Sequence, residues 1–544
     1  MIKVSDFKDA VHVANDVAQQ DSNYDVVVVG YGPAGEVLAS TIGAAGFRVL
    51  VVERWPQPYP LPRLTTLDGE VCRVLQATSQ DIDAALAETL VQETCNFVDA
   101  AGDPLMVVRY DGQLGGWPSR LSVFQPDFER AIAAKVESMP NVELLRGWEA
   151  TELWQNAYGV HLIISPTERG AGKPRTVRAK YVVGTDGARS FIRQVLGLGV
   201  RDYDMHQRWL NFDAELLRPV SDDLMTLKIF MDPERPHMHM PIGTKRLRLE
   251  FRVMEDETDE AVTDPSVAWE FMARKHGIGP EDVRILRQVV YHYRTRVATE
   301  WRVGRVFLAG DAAHTMPPYM GQGACAAIRD GRNLGWKLVE VLAGRSEEEL
   351  LDTYREEREP HVTTIVLASD RLSRVVNIVD LEQASARDRD MRAKGEGHPP
   401  ALPSLEAGAL FFDEEGLLKG AAGECAPQGR VRLDGSIVRG DERLGYGFQL
   451  WCRRDPSESL GQAEAEYLQS IGCSIAVFED AESKYAVDDI DGTYVGYLDR
   501  HDIEVLILRP DFYAFGGATA ARLNTLVRAL ATSLRSTVSL ARES

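Results

Sequence analysis

The sequence predicts an α/β protein whose main parallel sheet is interrupted by an antiparallel one and followed by a smaller α/β module. Three observations predict it. From Asp25 to Glu53 an apolar strand (DVVVVG), a glycine turn, a helix of small residues and a second apolar strand (RVLVVE) follow one another. This is the opening βαβ unit of a Rossmann-like, dinucleotide-binding domain. Between 205 and 255, LNFDAEL, LMTLKIFM and RLRLEFRV alternate apolar with polar residues, as strands of an antiparallel sheet with one covered face do. Beyond a stretch rich in Pro and Gly, the runs FQLWC, CSIAVF, YVGYLD and IEVLILR and an amphipathic helix, AARLNTLVRALATSL, make an α/β unit of domain size.

A chain of 544 residues is expected to hold two to three domains. Residues 1–24 read as a polar extension. The nucleotide domain is expected in two pieces, 25–200 and 290–394, with the antiparallel sheet inserted at 201–289. A linker is expected over 395–430 (GEGHPPALPSLEAG through ECAPQG) and the last module over 431–544. The formal net charge of -21 argues against nucleic acid or an anionic membrane as partner. Six scattered cysteines without a C-x-x-C fit buried thiols in a reducing compartment. The first residues lack the apolar run of a signal peptide, and no stretch is long and apolar enough to span a bilayer. The expected location is the cytoplasm.

Gly30-Tyr31-Gly32-Pro33-Ala34-Gly35 is a G-x-G-x-x-G between strand and helix. Gly30 permits the tight turn, Gly32 lets backbone approach a pyrophosphate, and Gly35 lets helix and strand pack closely. Pro33 and Ala34 open the helix, whose first N–H groups and positive dipole end face the ligand. Glu53, ending the second strand, is placed to accept hydrogen bonds from an adenosine ribose. Two later segments follow buried strands. YVVGTDGARSFIR carries Asp186-Gly187, and GRVFLAGDAAHTMPPYMGQGACAAIRDGRNLGWKL carries Gly310-Asp311, Pro318 and Gly321-Gln322-Gly323 at a helix start.

With these three segments in this order, the chain resembles the class A flavoprotein aromatic hydroxylases over roughly 25–395. The resemblance implies a bound FAD, with NADPH or NADH and O2 as co-substrates, and hydroxylation of a small phenolic substrate through a flavin hydroperoxide. It implies that Asp311 holds the ribityl and pyrophosphate region, and that the backbone of Gly321, Gln322 and Gly323, beside Pro318, faces the flavin ring. Asp186 is expected to shape the pyrophosphate region and Arg63 to lie near it, although Leu64 stands where the family has alanine. Gln125 matches a glutamine near the ribityl chain; a strand-end polar residue before a helix is the competing explanation. No second glycine fingerprint occurs, which fits transient reduction by NAD(P)H in a surface groove.

The sheet at 205–255 is expected to roof the flavin, with PHMHMPIG as its inner strand. His237 and His239 share one face and Met238 and Met240 the other; one face is expected to line the pocket and the other to meet solvent. As a metal site the His-x-His pair lacks a third ligand. In VVYHYRTRVA, Tyr291, His292 and Tyr293 precede the Gly-Asp segment. His239, His292 and Tyr293 are the candidate catalytic residues, with ordinary strand packing as the alternative. The last module resembles the thioredoxin-like tail of 3-(3-hydroxyphenyl)propionate, phenol and polyketide hydroxylases, with LILRPDFYAFGG as its closing strand pair. Lacking C-x-x-C, it is expected to be structural or to form an interface such as that of a homodimer. Competing functions are a polyketide or other large-aromatic hydroxylase in biosynthesis and a non-catalytic flavin-binding partner. An NAD-dependent dehydrogenase would leave the Asp-Gly and Gly-Asp segments without a role, and a flavin halogenase would need a W-x-W-x-I-P segment that is absent.

Overall fold

The computed structural model describes residues 22–168 and 170–538. The extension expected over 1–24 lies outside the described residues up to 21. Its last three residues already belong to the first strand, β1 (Ser22–Val29). β1 leads through Gly30 into α1 (Pro33–Ala44) and β2 (Val49–Glu53). Val26 to Val29 are buried, as a parallel strand covered on both faces requires. Then follow α2 (Gly69–Thr78), β3 (Thr94–Val98), β4 (Pro104–Arg109), α3 (Gln125–Glu137), β5 (Val142–Arg146), β6 (Trp148–Asn156), β7 (Gly159–Pro166) and β8 (Arg175–Gly184). The order β5-β2-β1-β8 is parallel, and β7 and β6 continue it antiparallel.

The second sheet is built from β9 (Val200–Leu216), β10 (Leu227–Phe230), β11 (His237–Ile242) and β12 (Arg246–Arg252). Helix α4 (Pro265–His276) covers it, and β13 (Val283–Ala298) returns along β9. The sheet is larger than expected. Among the described residues it has nine strands, with β3, β4, His314–Thr315 and Gly395–Gly397 at its two ends, and β13 crosses 289/290 without a break. Short strands set in irregular sequence give no pattern of their own, and hydrogen bonding across space recruits them. β14 (Val306–Leu308) rejoins the first sheet beside β8, in register from Val182 with Val306. Helices α5 (Gly323–Leu342), α6 (Thr353–Val376) and α7 (Leu381–Lys394) follow. α5 packs on α1 at Gly331, where an added Cβ would lie 2.7 Å from the Ala34 carbonyl oxygen.

The Pro- and Gly-rich stretch expected as a linker is irregular but docked. Leu405, Ala409 and Leu410 are buried, and Phe411 N–H donates to the Phe515 carbonyl at 2.8 Å. The last module contains β15 (Gln449–Cys452), β16 (Ser474–Val477), β17 (Val505–Leu508), β18 (Ala514–Ala518) and α8 (Leu523–Ser533). Its sheet runs β16-β15-β17-β18, the first pair parallel and the rest antiparallel, a thioredoxin-like arrangement. Fully buried ion pairs fix the module to the first domain: Arg73 with Asp441 and Arg509 with Glu357, each at 2.6 Å. Breaking either would strand a buried charge, at a cost of about 3–5 kcal/mol. Among the described residues no helix is long and apolar enough to cross a membrane.

Candidate cofactor and substrate site

The glycine turn is closed by contact. Gly30 has φ 103°, and a Cβ there would lie 2.5 Å from the Thr185 carbonyl oxygen; at Gly35 a Cβ would lie 2.2 Å from the Gly30 carbonyl oxygen. Around Gly32 nothing stands within 4 Å of the Cβ position, so its backbone is open to a ligand. Thr185 Oγ1 donates to the Gly30 carbonyl at 2.7 Å and ties β8 to the turn. Glu53 accepts from Tyr31 N–H and Trp55 N–H, both at 2.8 Å, which fixes its carboxylate at the end of β2. Asp186 accepts from Ile192 N–H at 3.1 Å while its other oxygen is buried without a partner, and burial raises its carboxyl pKa.

Gly310 packs against Ala34 and Ala327, so the Gly-Asp turn meets the start of α1. A residue not singled out in the sequence, Asp330 on α5, holds it. Asp330 accepts from Gly310 N–H at 3.1 Å and pairs with His314 at 2.7 Å and Arg358 at 2.9 Å, all buried. Asp311 itself is exposed and makes no hydrogen bond or ion pair among the described residues. Gln125 Oε1 accepts from the backbone N–H of Arg63 at 2.7 Å and Leu64 at 2.9 Å, so this side chain shapes the Arg63 loop. The same loop is gripped from the second sheet: Arg248 donates to the carbonyls of Arg63 at 2.9 Å and Pro62 at 2.7 Å while pairing with Asp213. Gly321 adopts a left-handed φ of 67° beside Pro318, and Gln322 and Gly323 open α5.

An open glycine turn, a fixed carboxylate at the end of β2, an orphaned Asp186 oxygen and a free Asp311 together fit a dinucleotide with its pyrophosphate at the N-terminus of α1.

The second sheet presents two unlike faces. The inner face, toward α6 and the Pro318–Gly323 segment, carries Trp209, Asn211, Arg248, Glu250, Arg252, Met238, Met240 and Tyr293. Tyr293 Oη and Asn211 are 3.3 Å apart, and Asn211 Nδ2 donates to Glu250 Oε1 at 2.7 Å. Burial pushes the Glu250 carboxyl up to about 7, against the pull of Arg248. The Trp209 ring meets Tyr319 edge-on, and Asn377 donates to Tyr319 Oη at 2.7 Å. A groove of about 290 Å³, lined by Arg252, Tyr293, Gln207 and Arg208 among others, opens beside this face.

Two of the three candidate catalytic residues lie elsewhere. His239 is on the outer face, buried at 1% exposure and ring-packed with Phe230 and His276 beneath α4. His292 is also outward, about half exposed and paired with Asp259 at 2.7 Å. The outer face does not meet solvent along β11, because α4 covers it. The methionines, not the histidines, face inward: Thr65 Oγ1 contacts Met240 Sδ at 3.3 Å. Sequence reasoning missed Asn211, Glu250, Arg248 and Asp330. LNFDAEL and RLRLEFRV alternate as expected, but the polar positions Asn211, Asp213, Arg248, Glu250 and Arg252 are buried rather than open to water.

One glycine-cradled nucleotide site opposed by a polar, covered sheet face defines a dinucleotide-dependent oxidoreductase. Residues 23–369 match the family model described as the FAD binding domain, and 423–533 match the HcaD C-terminal domain. The chain belongs to this FAD-binding family, FAD is its cofactor, and it is a FAD-dependent monooxygenase. It is 35% identical over 516 residues to the probable NADH-specific resorcinol 4-hydroxylase of Rhodococcus jostii (strain RHA1), covering 93% of this chain and 94% of the relative. It is 33% identical to the 3-(3-hydroxy-phenyl)propionate/3-hydroxycinnamic acid hydroxylase of Mycobacterium sp. (strain JLS), covering 94% and 92%. Among solved structures, the flavin-dependent monooxygenase PieE in complex with FAD and substrate superposes with a TM-score of 0.81 at 22% identity, over 95% of this chain and all of that one.

Proposed function

We propose that the chain hydroxylates a small phenolic substrate with NAD(P)H and O2, bound between the inner face of the second sheet and the Pro318–Gly323 segment. When bound, FAD supplies the electron transfer and oxygen activation. Gly30, Gly32, Pro33, Ala34 and Gly35 would cradle its pyrophosphate, Glu53 its ribose, and Asp186 and Asp311 the ribityl-pyrophosphate region. Gln125 and Arg63 would close the loop over it, and the start of α5, Gly321 to Gly323 beside Pro318, would favour negative charge on the ring.

The observation that carries the phenol is the Tyr293–Asn211–Glu250 row. A phenolate is a far better nucleophile than a phenol, and a carboxylate with a pKa near 7 accepts that proton at working pH. Tyr293 Oη would orient the hydroxyl and Asn211 would hold the carboxylate, while Trp209, Tyr319 and the two methionines exclude water from the ring. The two named relatives act on phenols, one neutral and one bearing a carboxylate. We place the enzyme in the cytoplasm, where its thiols would stay reduced.

The test is a panel of resorcinol, 3-(3-hydroxyphenyl)propionate, simple phenols and polycyclic phenols. NAD(P)H oxidation, O2 uptake and hydroxylated product are followed together. At least one small phenol should stimulate turnover and appear as product in step with O2 consumed. If none does while FAD stays bound, the phenolic assignment is wrong.

A further inference from the structure

The closing turn of the last module, RPDFYAF, holds a residue that the proposed chemistry leaves unused. Tyr513 is buried at 4% exposure and reaches out of the module into the first domain, where its Oη donates to Glu70 Oε1 at 2.8 Å. Glu70 pairs at 2.9 Å with Arg329 on α5. Arg329 donates to Asp68 Oδ2 at 2.8 Å and to Gln322 Oε1 at 3.1 Å, and Gln322 Nε2 donates to the same Asp68 oxygen at 3.0 Å. Asp68 also caps α2 through Val71 N–H. Every side chain in the row is buried.

The turn presenting Tyr513 is strained. Phe512, an aromatic residue, sits at φ 69° and is fully buried, with the Arg73 guanidinium over its ring at 4.3 Å. Backbone held in that region by its surroundings marks places where one geometry matters.

We propose that the C-terminal module acts on the cofactor site through Tyr513. It is a positioning residue that fixes Gln322, and with it the Gly321–Gly323 backbone, through Glu70, Arg329 and Asp68. This rests on the assignment of that segment to the flavin ring. The backbone N–H groups at the start of α5 stabilise negative charge only where they are aimed. The Glu70–Arg329 link is an ion pair, since Arg329 Nε makes no hydrogen bond, and a buried polar network loosens further when one of its partners is lost.

The test uses full-length, FAD-loaded protein carrying Tyr513→Phe, Glu70→Gln, or the control Arg439→Gln. The control loosens a different module contact, Arg439 with Asp83. Thermal midpoints and FAD occupancy are recorded for all three. Tyr513→Phe and Glu70→Gln should each lower the preference for reduced over oxidised flavin about threefold, a shift of about 14 mV to more negative midpoint potential at 29.6 mV per tenfold. The share of NAD(P)H oxidised without product should rise about threefold, while Arg439→Gln leaves both at the wild-type value. A wild-type potential in Tyr513→Phe overturns the proposal, and so does an equal shift in Arg439→Gln, which would mean general docking. Should Tyr513→Phe fail to fold, Glu70→Gln, which keeps its volume, carries the same comparison. If no aromatic compound is hydroxylated, the coupling arm falls with the proposed function, and the potential still decides.

Discussion

Along β11 and β12 the two faces of the second sheet are both buried, both polar in part and both rich in titratable groups, yet they are built for opposite ends. Outside, His237, His239 and His276 pack ring to ring with Phe230 and Phe271, and burial drives each to stay neutral. Inside, Arg248, Glu250 and Asn211 face the first domain as a charged, hydrogen-bonded row. Burial alone therefore does not mark a site. What distinguishes the inner face is a titratable group kept near neutrality beside polar neighbours and opposite the Pro318–Gly323 segment that we propose faces the flavin, the pattern expected where protons are moved.

The sharpest way to break this contrast is to exchange one inner group. Glu250→Gln keeps the shape and the Asn211 contact but removes the proposed proton acceptor. It should lower kcat/KM for the phenol about a hundredfold at pH 8, the scale of a lost general base. The sign of the pH dependence follows from the raised carboxyl. Glu250 is neutral below about 7 and ionised above, so wild-type kcat/KM should rise through that pH and the limb should vanish in the variant. A variant that keeps both rate and limb would remove Glu250 from the chemistry.

The outer face should answer in stability, not rate. His237 and His239 are held at about 4 and His276 at about 2, below the ordinary 6.5, first of all by burial; Lys275, Lys228, Arg235, Asp232 and Asp223 are the charges around them. An unfolded chain takes up protons between pH 6.5 and 4 that the folded one refuses, so stability is lost as the pH falls through that window. The loss is on the order of 2 kcal/mol per histidine between pH 7 and 5. His239→Phe should recover about that amount, read as a smaller drop in urea midpoint at pH 5, with kcat/KM within about twofold of wild type. A large loss of rate instead would return His239 to the site.

Much of the nucleotide half was legible because its constraints are local. Gly30, Gly32 and Gly35 sit where a turn, an open approach and a close packing require them, and β1 and β2 read as buried strands. The inner face was not legible. Alternation in LNFDAEL tells which residues share a face, but not whether water or another domain covers the polar one. His237-Met238-His239-Met240 offered two plausible linings, and only the placement of α4 decides between them. Asp330 and the Tyr513–Glu70 contact were hidden for a different reason: their partners lie 16 to 443 residues away in sequence.

A smaller inner change sharpens the contrast from within. Tyr293 differs from Tyr293→Phe only by the hydroxyl that meets Asn211. Its loss should cost about tenfold in kcat/KM, close to one hydrogen bond to a reacting group, and should leave the acid-stability profile unchanged. An unchanged rate would assign Tyr293 to packing against Tyr291, whose ring lies parallel at 6.2 Å.

The smallest effect is expected one residue away. His292 alternates with Tyr293 along β13, so it points outward although its neighbour in sequence points in. Its partner Asp259 also pairs with Arg208 at 2.8 Å, and both His292 and Asp259 are about a third or more exposed. Surface pairs of this kind contribute about 0–1 kcal/mol because water and salt screen them. His292→Asn should therefore stay within about twofold of wild type in kcat/KM, with stability lowered by no more than that 1 kcal/mol. A tenfold loss of rate would show that the groove beside Arg208 and Tyr293 carries substrate past the outer edge, and the division of the sheet into a working face and a structural one would fail at that edge.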